Sequence, residues 1–348
     1  MNAFLTGGSG FVGSHLARAL VGRGARVRCL VRAASRTDDL RGLGCELVEG
    51  DLRDEASVRR GLAGADVAFH CAADYRLCAK EPDDIYRTNV DGTNNVMRAA
   101  LELGVRRVVH TSSVATLAAR TDGVPVDERA RATLDDVVGD YKRSKLLAER
   151  AVEEWAGRGL PVVIVSPSTP VGEGDAKPTP TGQIIVDFLN GRMPAYVDTG
   201  LNLVDVRDVA EGHILAAERG RVGESYILGG ANLSLKEILE LCGRTVGRAA
   251  PRLRLPIWIP LVLAHLEAPL ARALGREPRV PLDGVRMSKR KMFFDSGKAM
   301  RELGVTPGPI EPAIERAVRW FFAQGLVKDL AHRRPAGRGR PRRPENAW

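Results

Sequence analysis

The sequence predicts an α/β fold in which helices cover both faces of a parallel sheet. Six short and almost continuously apolar runs are typical of buried strands: 2–6, 26–31, 45–49, 66–70, 105–111 and 161–165. Four stretches between these runs have helical periodicity: 13–22, 56–63, 83–103 and 140–158. Strands that are apolar throughout and alternate with helices indicate a doubly wound parallel sheet, because such strands are buried on both faces.

The second half of the chain predicts a smaller α/β domain that is discontinuous in sequence. Segment 171–200 is rich in Gly, Pro and Thr, and a strand at 203–206 and a helix at 208–219 then return to the first pattern. Helical pieces and Pro/Gly turns dominate the rest up to residue 327. The expected division is one domain at 1–170 with a return at 201–229, a second domain at 171–200 and 230–327, and a basic, disordered tail at 328–348.

Composition and charge exclude several classes of protein. The 348 residues are 44% hydrophobic and 27% charged, which is the balance of a soluble globular protein. Six arginines between 332 and 344, together with Glu345, contribute +5 of the net charge of +9, so we expect no nucleic-acid partner. The five cysteines form no CxxC pair and no signal peptide is recognisable, which predicts a cytoplasmic protein with reduced thiols. The six histidines have no metal-ligand spacing, so we expect no metal site.

The most apolar stretch of the chain lies at 255–266 (LPIWIPLVLAHL). It is shorter than the roughly 18 residues that a membrane-spanning helix needs, and it contains two prolines. We interpret it as a buried helix of the second domain. A surface that contacts a membrane is the alternative.

A glycine-rich turn follows the first predicted strand and opens the first helix. It reads Gly7-Gly8-Ser9-Gly10-Phe11-Val12-Gly13. Glycines at this spacing permit a tight turn and bring backbone N–H groups close to a pyrophosphate at the helix N-terminus. We therefore interpret 1–170 as a dinucleotide-binding domain. The residues predicted to contact the cofactor here are Gly7, Gly10, Phe11, Val12 and Gly13.

The end of the second strand bears on the choice between NADP and NAD. A carboxylate at this position hydrogen-bonds the ribose 2′-hydroxyl of NAD, whereas an arginine accommodates the 2′-phosphate of NADP. Arg32 stands here, and no acid follows before Asp38. The sequence therefore favours NADP, with NAD as the alternative.

The ends of the next two strands carry further candidate cofactor contacts. Asp51 and Leu52 end the third strand, where a carboxylate can accept a hydrogen bond from the adenine amino group. Cys71, Ala72 and Ala73 end the fourth, where small residues let the backbone approach the cofactor. These positions support one another, because they follow successive parallel strands.

Tyr141 and Lys145 are four residues apart and so lie on one face of a predicted helix. A fixed cation beside a phenol favours the phenolate, which would lower the tyrosine pKa toward the working range of a proton-transfer group. The fifth strand ends in Thr111-Ser112-Ser113, where a hydroxyl can hold a substrate oxygen. The pattern predicts hydride transfer between a nicotinamide and a carbinol carbon, with Tyr141 moving the proton.

Nine motifs resemble the extended short-chain dehydrogenase/reductase family, of the NAD-dependent epimerase/dehydratase type, over about residues 1–325. They are GGSGFVG (7–13), GDLRD (50–54), HCAA (70–73), NVDGTNN (89–95), HTSSVAT (110–116), YKRSK (141–145), VVIVSPSTPVG (162–172), LVDVRDVAEGH (203–213) and KAMRELG (298–304). The resemblance implies a Rossmann-like fold, with Ser113 as the catalytic hydroxyl, Tyr141 as the general acid/base and Lys145 as the ligand of the nicotinamide ribose. It also implies that Ser112 lies at the cofactor, that Asn89 supports the site, and that Pro167 and Ser168 lie along the nicotinamide.

Within that family the chain resembles the dihydroflavonol-4-reductase-like group, and residues 167–213 resemble the hopanoid-associated sugar epimerases. Two reactions stay open: net reduction by NADPH, and nucleotide-sugar epimerisation with a retained NAD. Epimerases of this kind often carry an Arg-Asp pair that grips the substrate diphosphate, and Leu201-Asn202 stands in its place. We therefore favour a reductase, although Arg192 or Lys177 could replace the missing cation. A cofactor-binding protein without turnover is disfavoured because Ser113, Tyr141 and Lys145 are all present.

The expected partner is a small-molecule substrate, held by 171–200 and 230–300. Five polar side chains in the first segment suit a polyhydroxylated group: Thr179, Thr181, Gln183, Asp187 and Asn190. The apolar run 255–266 suits a lipid-linked substrate and leaves a peripheral membrane contact open. A homodimer is also left open.

Overall fold

The computed structural model describes residues 1–74, 82–273 and 282–328. Its strands are β1 (Asn2–Thr6), β2 (Arg26–Val31), β3 (Glu46–Glu49), β4 (Val67–His70), β5 (Arg107–Thr111), β6 (Val162–Pro167), β7 (Thr169–Val171), β8 (Ala195–Val197), β9 (Gly200–Asp205), β10 (Ser225–Leu228), β11 (Ala231–Ser234) and β12 (Leu253–Leu255).

The helices are α1 (Phe11–Gly22), α2 (Asp38–Gly42), α3 (Glu55–Leu62), α4 (Pro82–Tyr86), α5 (Gly92–Glu102), α6 (Asp140–Gly157), α7 (Pro180–Leu189), α8 (Val206–Arg219), α9 (Leu235–Val246), α10 (Trp258–Ala273), α11 (Leu282–Met287), α12 (Gly297–Leu303) and α13 (Glu311–Ala323). A π-helical turn, Arg87–Asp91, joins α4 to α5, and a 3₁₀ turn, Val114–Thr116, follows β5.

A seven-stranded parallel sheet, in the order β10-β6-β5-β4-β1-β2-β3, is the centre of the fold. Neighbouring residues of a strand point to opposite faces. Leu5 packs among residues of α1, α8 and α12, whereas Phe4 packs among residues of α3, α5 and α6. The sheet is therefore covered by helices on both faces. The predicted fold class, a Rossmann-like doubly wound parallel sheet, is confirmed.

A second core lies around the small sheet β11-β9-β7. It is built from side chains of α7, α9 and α13, with Val171 of β7 and Leu203 of β9. The predicted strand 203–206 corresponds to β9, which pairs with β7 and β11 in this small sheet and not with the central sheet. Within 201–229, β10 is a strand of the central sheet and α8 packs on that sheet. The division of the chain into two domains stays a prediction, and all but the first residue of the proposed tail lie outside the described residues.

Two helix predictions were wrong in detail. The single helix expected at 83–103 is interrupted by the π-helical turn, which contains Asn89. The apolar run 255–266 was expected to be a buried helix, and α10 instead leaves Trp258, Val262, Leu263 and Leu266 between 51% and 68% exposed. Among the described residues, no helix is long and apolar enough to cross a membrane.

Candidate active site

The glycine turn between β1 and α1 is a close-packed cradle of backbone. Gly7 has a φ of +74°, and a Cβ atom on it would lie 2.7 Å from the amide nitrogen of Ala72. A Cβ atom on Gly13 would lie only 2.1 Å from the carbonyl oxygen of Gly7. Gly10 is the N-cap of α1, and it has no side chain that could accept hydrogen bonds from the N–H groups at the start of this helix. The first turn of α1, which begins with Phe11 and Val12, contains no acidic residue. This end of α1 therefore suits an anionic pyrophosphate, and the predicted dinucleotide fits.

Arg32 directly follows β2, and its side chain is exposed. Its backbone forms a turn in which the Arg32 amide donates to the Ser35 hydroxyl over 3.2 Å and the Ser35 amide donates to the Arg32 carbonyl over 2.8 Å. The position of Arg32 is the one predicted for the group that meets a 2′-phosphate.

Asp51, at the end of the neighbouring β3, is already engaged. Arg53 donates to its two carboxylate oxygens over 3.0 and 2.9 Å, and this pairing lowers the pKa of Asp51. Leu52 is buried against α5, and its carbonyl accepts a bond from Asn95 over 2.9 Å. Asp51 therefore stays ionised at neutral pH, as its predicted role at the adenine requires.

Cys71, Ala72 and Ala73 follow β4 and lie next to the glycine turn. The Ala72 amide donates to the Thr6 hydroxyl over 3.2 Å, which ties this segment to the end of β1. Burial raises the pKa of the Cys71 thiol to about 12, so it is not ionised at neutral pH. The three small residues let the chain pass close to Gly7.

The predicted catalytic side chains meet where β5 ends and α6 begins. Gly139, with a φ of +84° that other residues rarely adopt, leads into α6 and places Tyr141 in its first turn. The Ser113 side chain interacts with the Tyr141 hydroxyl and lowers the pKa of that phenol. Lys145 lies one turn further along α6, is 3% exposed, and donates from Nζ to the Thr111 carbonyl over 2.7 Å. The structure thus brings Ser113, Tyr141 and Lys145 together.

The expected lowering of the Tyr141 pKa by Lys145 is not found. Burial raises the pKa of Tyr141, and the interaction with Ser113 is what opposes that rise. Lys145 directs its ammonium at a backbone carbonyl, and burial lowers its own pKa to about 8. The phenol is therefore protonated at neutral pH, which is the form that donates a proton to a carbonyl oxygen.

A buried carboxylate behind Lys145 was missed in the sequence. Glu149 accepts hydrogen bonds from Ser112 and from Thr116, the latter over 2.9 Å, and its negative charge raises the pKa of Lys145. Burial raises the pKa of Glu149 itself. The spacing was a usable signal, because Tyr141, Lys145 and Glu149 are successively four apart and share one helical face. Ser112 thus supports Lys145 through Glu149.

Asn89 connects the site to its supporting backbone. It lies in the π-helical turn and is 2% exposed. Its side-chain NH₂ group donates to the Asp74 backbone carbonyl and to the Ser144 hydroxyl, both over 2.9 Å. Its side-chain oxygen accepts a hydrogen bond from the Asp74 backbone amide over 2.7 Å. Ser144 in turn donates to the Tyr141 carbonyl over 2.8 Å. Asn89 is therefore a positioning residue that links the chain after β4 to the catalytic turn of α6.

Pro167 and Ser168 form the end of β6 and the residue after it. Pro167 is buried, and Ser168 donates its amide to the Leu228 carbonyl of β10 over 3.1 Å. The Ser168 hydroxyl is buried without a hydrogen-bond partner. A buried orphan hydroxyl at a strand end suits the carboxamide of a nicotinamide.

Two of the three residues considered for the diphosphate clamp, Asn202 and Arg192, form contacts with other residues of the protein. Asn202 is fully buried, and its side chain bonds Asn232 over 2.8 Å and the Gly230 amide over 2.9 Å. Arg192 pairs with Asp187 over 3.1 Å. Lys177 is exposed. Among the described residues no cluster of His, Cys, Asp and Glu could hold a metal ion.

The sequence pattern of the NAD dependent epimerase/dehydratase family matches residues 3–229, which include every residue placed above in the cofactor and catalytic sites. The chain belongs to this family. It is thus a nicotinamide-dependent enzyme of the oxidoreductase and epimerase type, and the recognition from sequence motifs is confirmed.

Three curated relatives match almost the whole chain. A Synechocystis protein named "Putative dihydroflavonol 4-reductase" is 46% identical over 93% of this chain and 96% of its own length. The 4-hydroxy-2-methyl-3-oxo-4-farnesyl-3,4-dihydroquinoline-1-oxide ketoreductase of Stigmatella aurantiaca is 36% identical, over 97% and 98%. Sterol demethylase protein B of Methylococcus capsulatus is 35% identical, over 94% and 100%.

Two solved structures have the same fold over most of their length. The crystal structure of gox2253 is 47% identical with a TM-score of 0.84, and covers 94% of this chain and 99% of that one. PA4631 of Pseudomonas aeruginosa, described as a nucleoside-diphosphate-sugar epimerase, is 27% identical with a TM-score of 0.77 and covers 94% and 99%. The relatives thus include both reactions that the motifs left open.

Proposed function

We propose that this enzyme is an NADPH-dependent reductase that converts a carbonyl group of a sugar-like or hopanoid-linked substrate into a secondary alcohol. The observation that carries the choice of reaction is Arg32, an exposed cation at the strand end where an NAD-specific site would have an acid. Asp51, the acid at the next strand end, is held by Arg53. NADP is the usual coenzyme of net reduction, so this preference supports the reductase.

The protein groups at the reacting atoms support the same direction. A bound nicotinamide supplies the hydride. The Ser113 side chain interacts with the Tyr141 hydroxyl, so a carbonyl oxygen could be held by both hydroxyls, and Tyr141 would donate its proton to that oxygen. Lys145 would bind the nicotinamide ribose and keep a positive charge behind the phenol.

The substrate is proposed to be lipid-linked. Three of the polar side chains expected to bind a sugar are occupied by intramolecular contacts: Thr179 with Asp175, Gln183 with Asp187, and Asn190 with Leu326. The names of two relatives contain a farnesyl group and a sterol, which are both isoprenoid lipids. A polycyclic isoprenoid with a polar end, such as a hopanoid, fits these observations.

The alternative function is a sugar epimerase with a retained NAD, and the similarity to PA4631 favours it. That reaction needs a cation for the substrate diphosphate. Asn202 is uncharged and buried in the small sheet, and Arg192 is paired with Asp187, so of the residues considered for this role only the exposed Lys177 could supply the cation. The reductase is therefore the better supported of the two.

Deletion of the gene followed by mass spectrometry of lipids and sugar nucleotides separates the two functions. Loss of a reductase leaves a ketone that is lighter than the missing product by two hydrogens. Loss of an epimerase leaves an isomer of the same mass as the missing product. An accumulated isomer without a mass difference would contradict the proposal.

Complementation of the deletion strain tests the residue that moves the proton. The wild-type gene should restore the product, and a Tyr141→Phe gene should not, because general acid–base catalysis contributes about a hundredfold or more. The purified variant should still bind NADPH, because the aromatic ring and the fold are kept and only the hydroxyl is lost. Full restoration by Tyr141→Phe would remove Tyr141 from the chemistry.

A further inference from the structure

The outer side of α10 carries a stripe of apolar side chains that no described residue covers. Trp258, Val262 and Leu266 are four residues apart, so they lie along one face of the helix, and they are 62%, 51% and 68% exposed. Leu263 beside them is 53% exposed. Contiguous exposure of this kind marks an interaction site, because single surface hydrophobic residues are normal but clusters are not.

The inward side of the same helix is defined by Ala264. It is fully buried, and it is two residues from both Val262 and Leu266, which places it on the opposite side of the helix. Four large apolar side chains of α10 therefore point away from the protein, and a small one points into it. An ordinary surface helix has the reverse arrangement.

The charge around the stripe identifies what it contacts. The described parts of this region, 250–273 and 282–291, contain seven Arg and Lys and two Asp and Glu. Arg254 and Lys291 both pair with Asp198, so the net charge including that carboxylate is +4. Arg252 just before the helix and Lys289 just after α11 are exposed. A second copy of the chain would bring two such segments together and repel, whereas an anionic lipid surface attracts them. Tryptophan and leucine on the outer face with basic residues at the margins are typical of a helix that lies in a bilayer interface.

The helix α10 is joined to the segment that follows Ser113 through α11 and Arg290. α11, which packs on α10, ends at Met287, and Arg290 follows three residues later. Arg290 donates to the Ala119 carbonyl over 3.4 Å, and its own carbonyl accepts from Thr199 over 3.3 Å. Ala119 lies six residues after Ser113 in the chain.

We propose that the α10 stripe, formed by Trp258, Val262, Leu263 and Leu266, docks the enzyme on an anionic lipid bilayer. The apolar side chains enter the interface while the basic residues stay at the headgroups. This inference rests on exposure and charge alone, so it does not depend on which carbonyl or which coenzyme the enzyme uses. It extends the proposed function by placing the enzyme at the membrane that would hold a lipid-linked substrate.

Co-sedimentation of the full chain with vesicles tests the proposal. Wild type should bind vesicles of phosphatidylcholine and phosphatidylglycerol, bind pure phosphatidylcholine vesicles more weakly, and bind the anionic ones less at high salt. The W258A/L266A variant should lose at least about tenfold in partition coefficient, since 1.4 kcal/mol is a factor of ten. A second variant, V262A/L263A, should show the same kind of loss.

The matched control is V222A/M300A, which removes two other exposed apolar side chains, 51% and 48% exposed, away from α10. It should bind vesicles as wild type does. All variants should keep the melting temperature of wild type, because every substituted side chain is exposed. Undiminished vesicle binding by both α10 variants would overturn the proposal, because binding would then come from the basic tail or from charge alone. Sedimentation velocity that shows a wild-type dimer and a W258A/L266A monomer would also overturn it in favour of a second copy.

Discussion

Arg32→Ala removes the guanidinium that is proposed to meet the 2′-phosphate of NADPH. The side chain is exposed and its backbone turn is held by main-chain bonds with Ser35, so the substitution should leave the fold unchanged. A charge-assisted hydrogen bond to a phosphate is worth about 1.5–3 kcal/mol. Because 1.4 kcal/mol is a factor of ten, the Kd for NADPH should rise about ten- to a hundredfold. The Kd for NADH, which lacks the phosphate, should change less than about twofold by the same argument.

Isothermal titration calorimetry of both coenzymes is the appropriate assay. Arg26→Ala is the matched control, because Arg26 is also an exposed arginine and begins β2, the strand that Arg32 follows. This control loses the same charge but should bind both coenzymes as wild type does. The reasoning is refuted if wild type binds NADH as tightly as NADPH, or if Arg32→Ala weakens both to the same extent. Either result would move the epimerase ahead of the reductase.

Two further substitutions test the cofactor cradle and the cation behind Tyr141. Gly13→Ala should weaken the binding of both NADPH and NADH by more than about tenfold, because its Cβ atom would lie 2.1 Å from the Gly7 carbonyl oxygen. Gly22→Ala is the control, because no atom lies within 4 Å of the Cβ that it adds. Equal coenzyme affinities of the two variants in calorimetry would contradict the role of the glycine turn. Activity should fall as pH rises through about 8, because Lys145 loses its proton there, and Glu149→Gln should move this fall to lower pH by removing the charge that raises the Lys145 pKa. Glu153→Gln, one turn further along α6, is the control, and its pH–rate profile should fall at the same pH as that of wild type. If the Glu149→Gln profile also fell at the wild-type pH, Glu149 would carry no charge that acts on Lys145.

Short-range patterns in the sequence were sufficient for the fold class and for much of the candidate site. The strands β1 and β2 begin and end at the predicted residues, because continuous apolar runs between turn signals mark strands buried on both faces. The glycine turn and the Tyr141–Lys145 spacing are equally local, since both depend on residues within one turn of a helix. Such features are set by the backbone and by neighbouring side chains, so they can be predicted without knowing the rest of the structure.

Partnership between distant residues was decided only by the tertiary structure. β10 is four residues long, and nothing in SYIL alone indicates that it pairs with β6 at the edge of the central sheet. β9 has the pattern of a core strand, but it pairs with β7 and β11. Short strands gain their stability from hydrogen bonds and burial supplied by other segments, so their place in a sheet depends on contacts far along the chain.

The electrostatic state of the site was likewise beyond the sequence. The spacing of Tyr141 and Lys145 suggested a lowered tyrosine pKa, yet burial raises it, and the Lys145 ammonium is directed to Thr111 and influenced by Glu149. The outward apolar face of α10 has the same origin, because hydrophobicity along the chain does not tell which side of a helix the protein covers. Residue types and their spacing determined which groups could react and bind. Only the packing of distant segments decided which of them lost contact with water, and desolvation outweighs local spacing in setting a pKa.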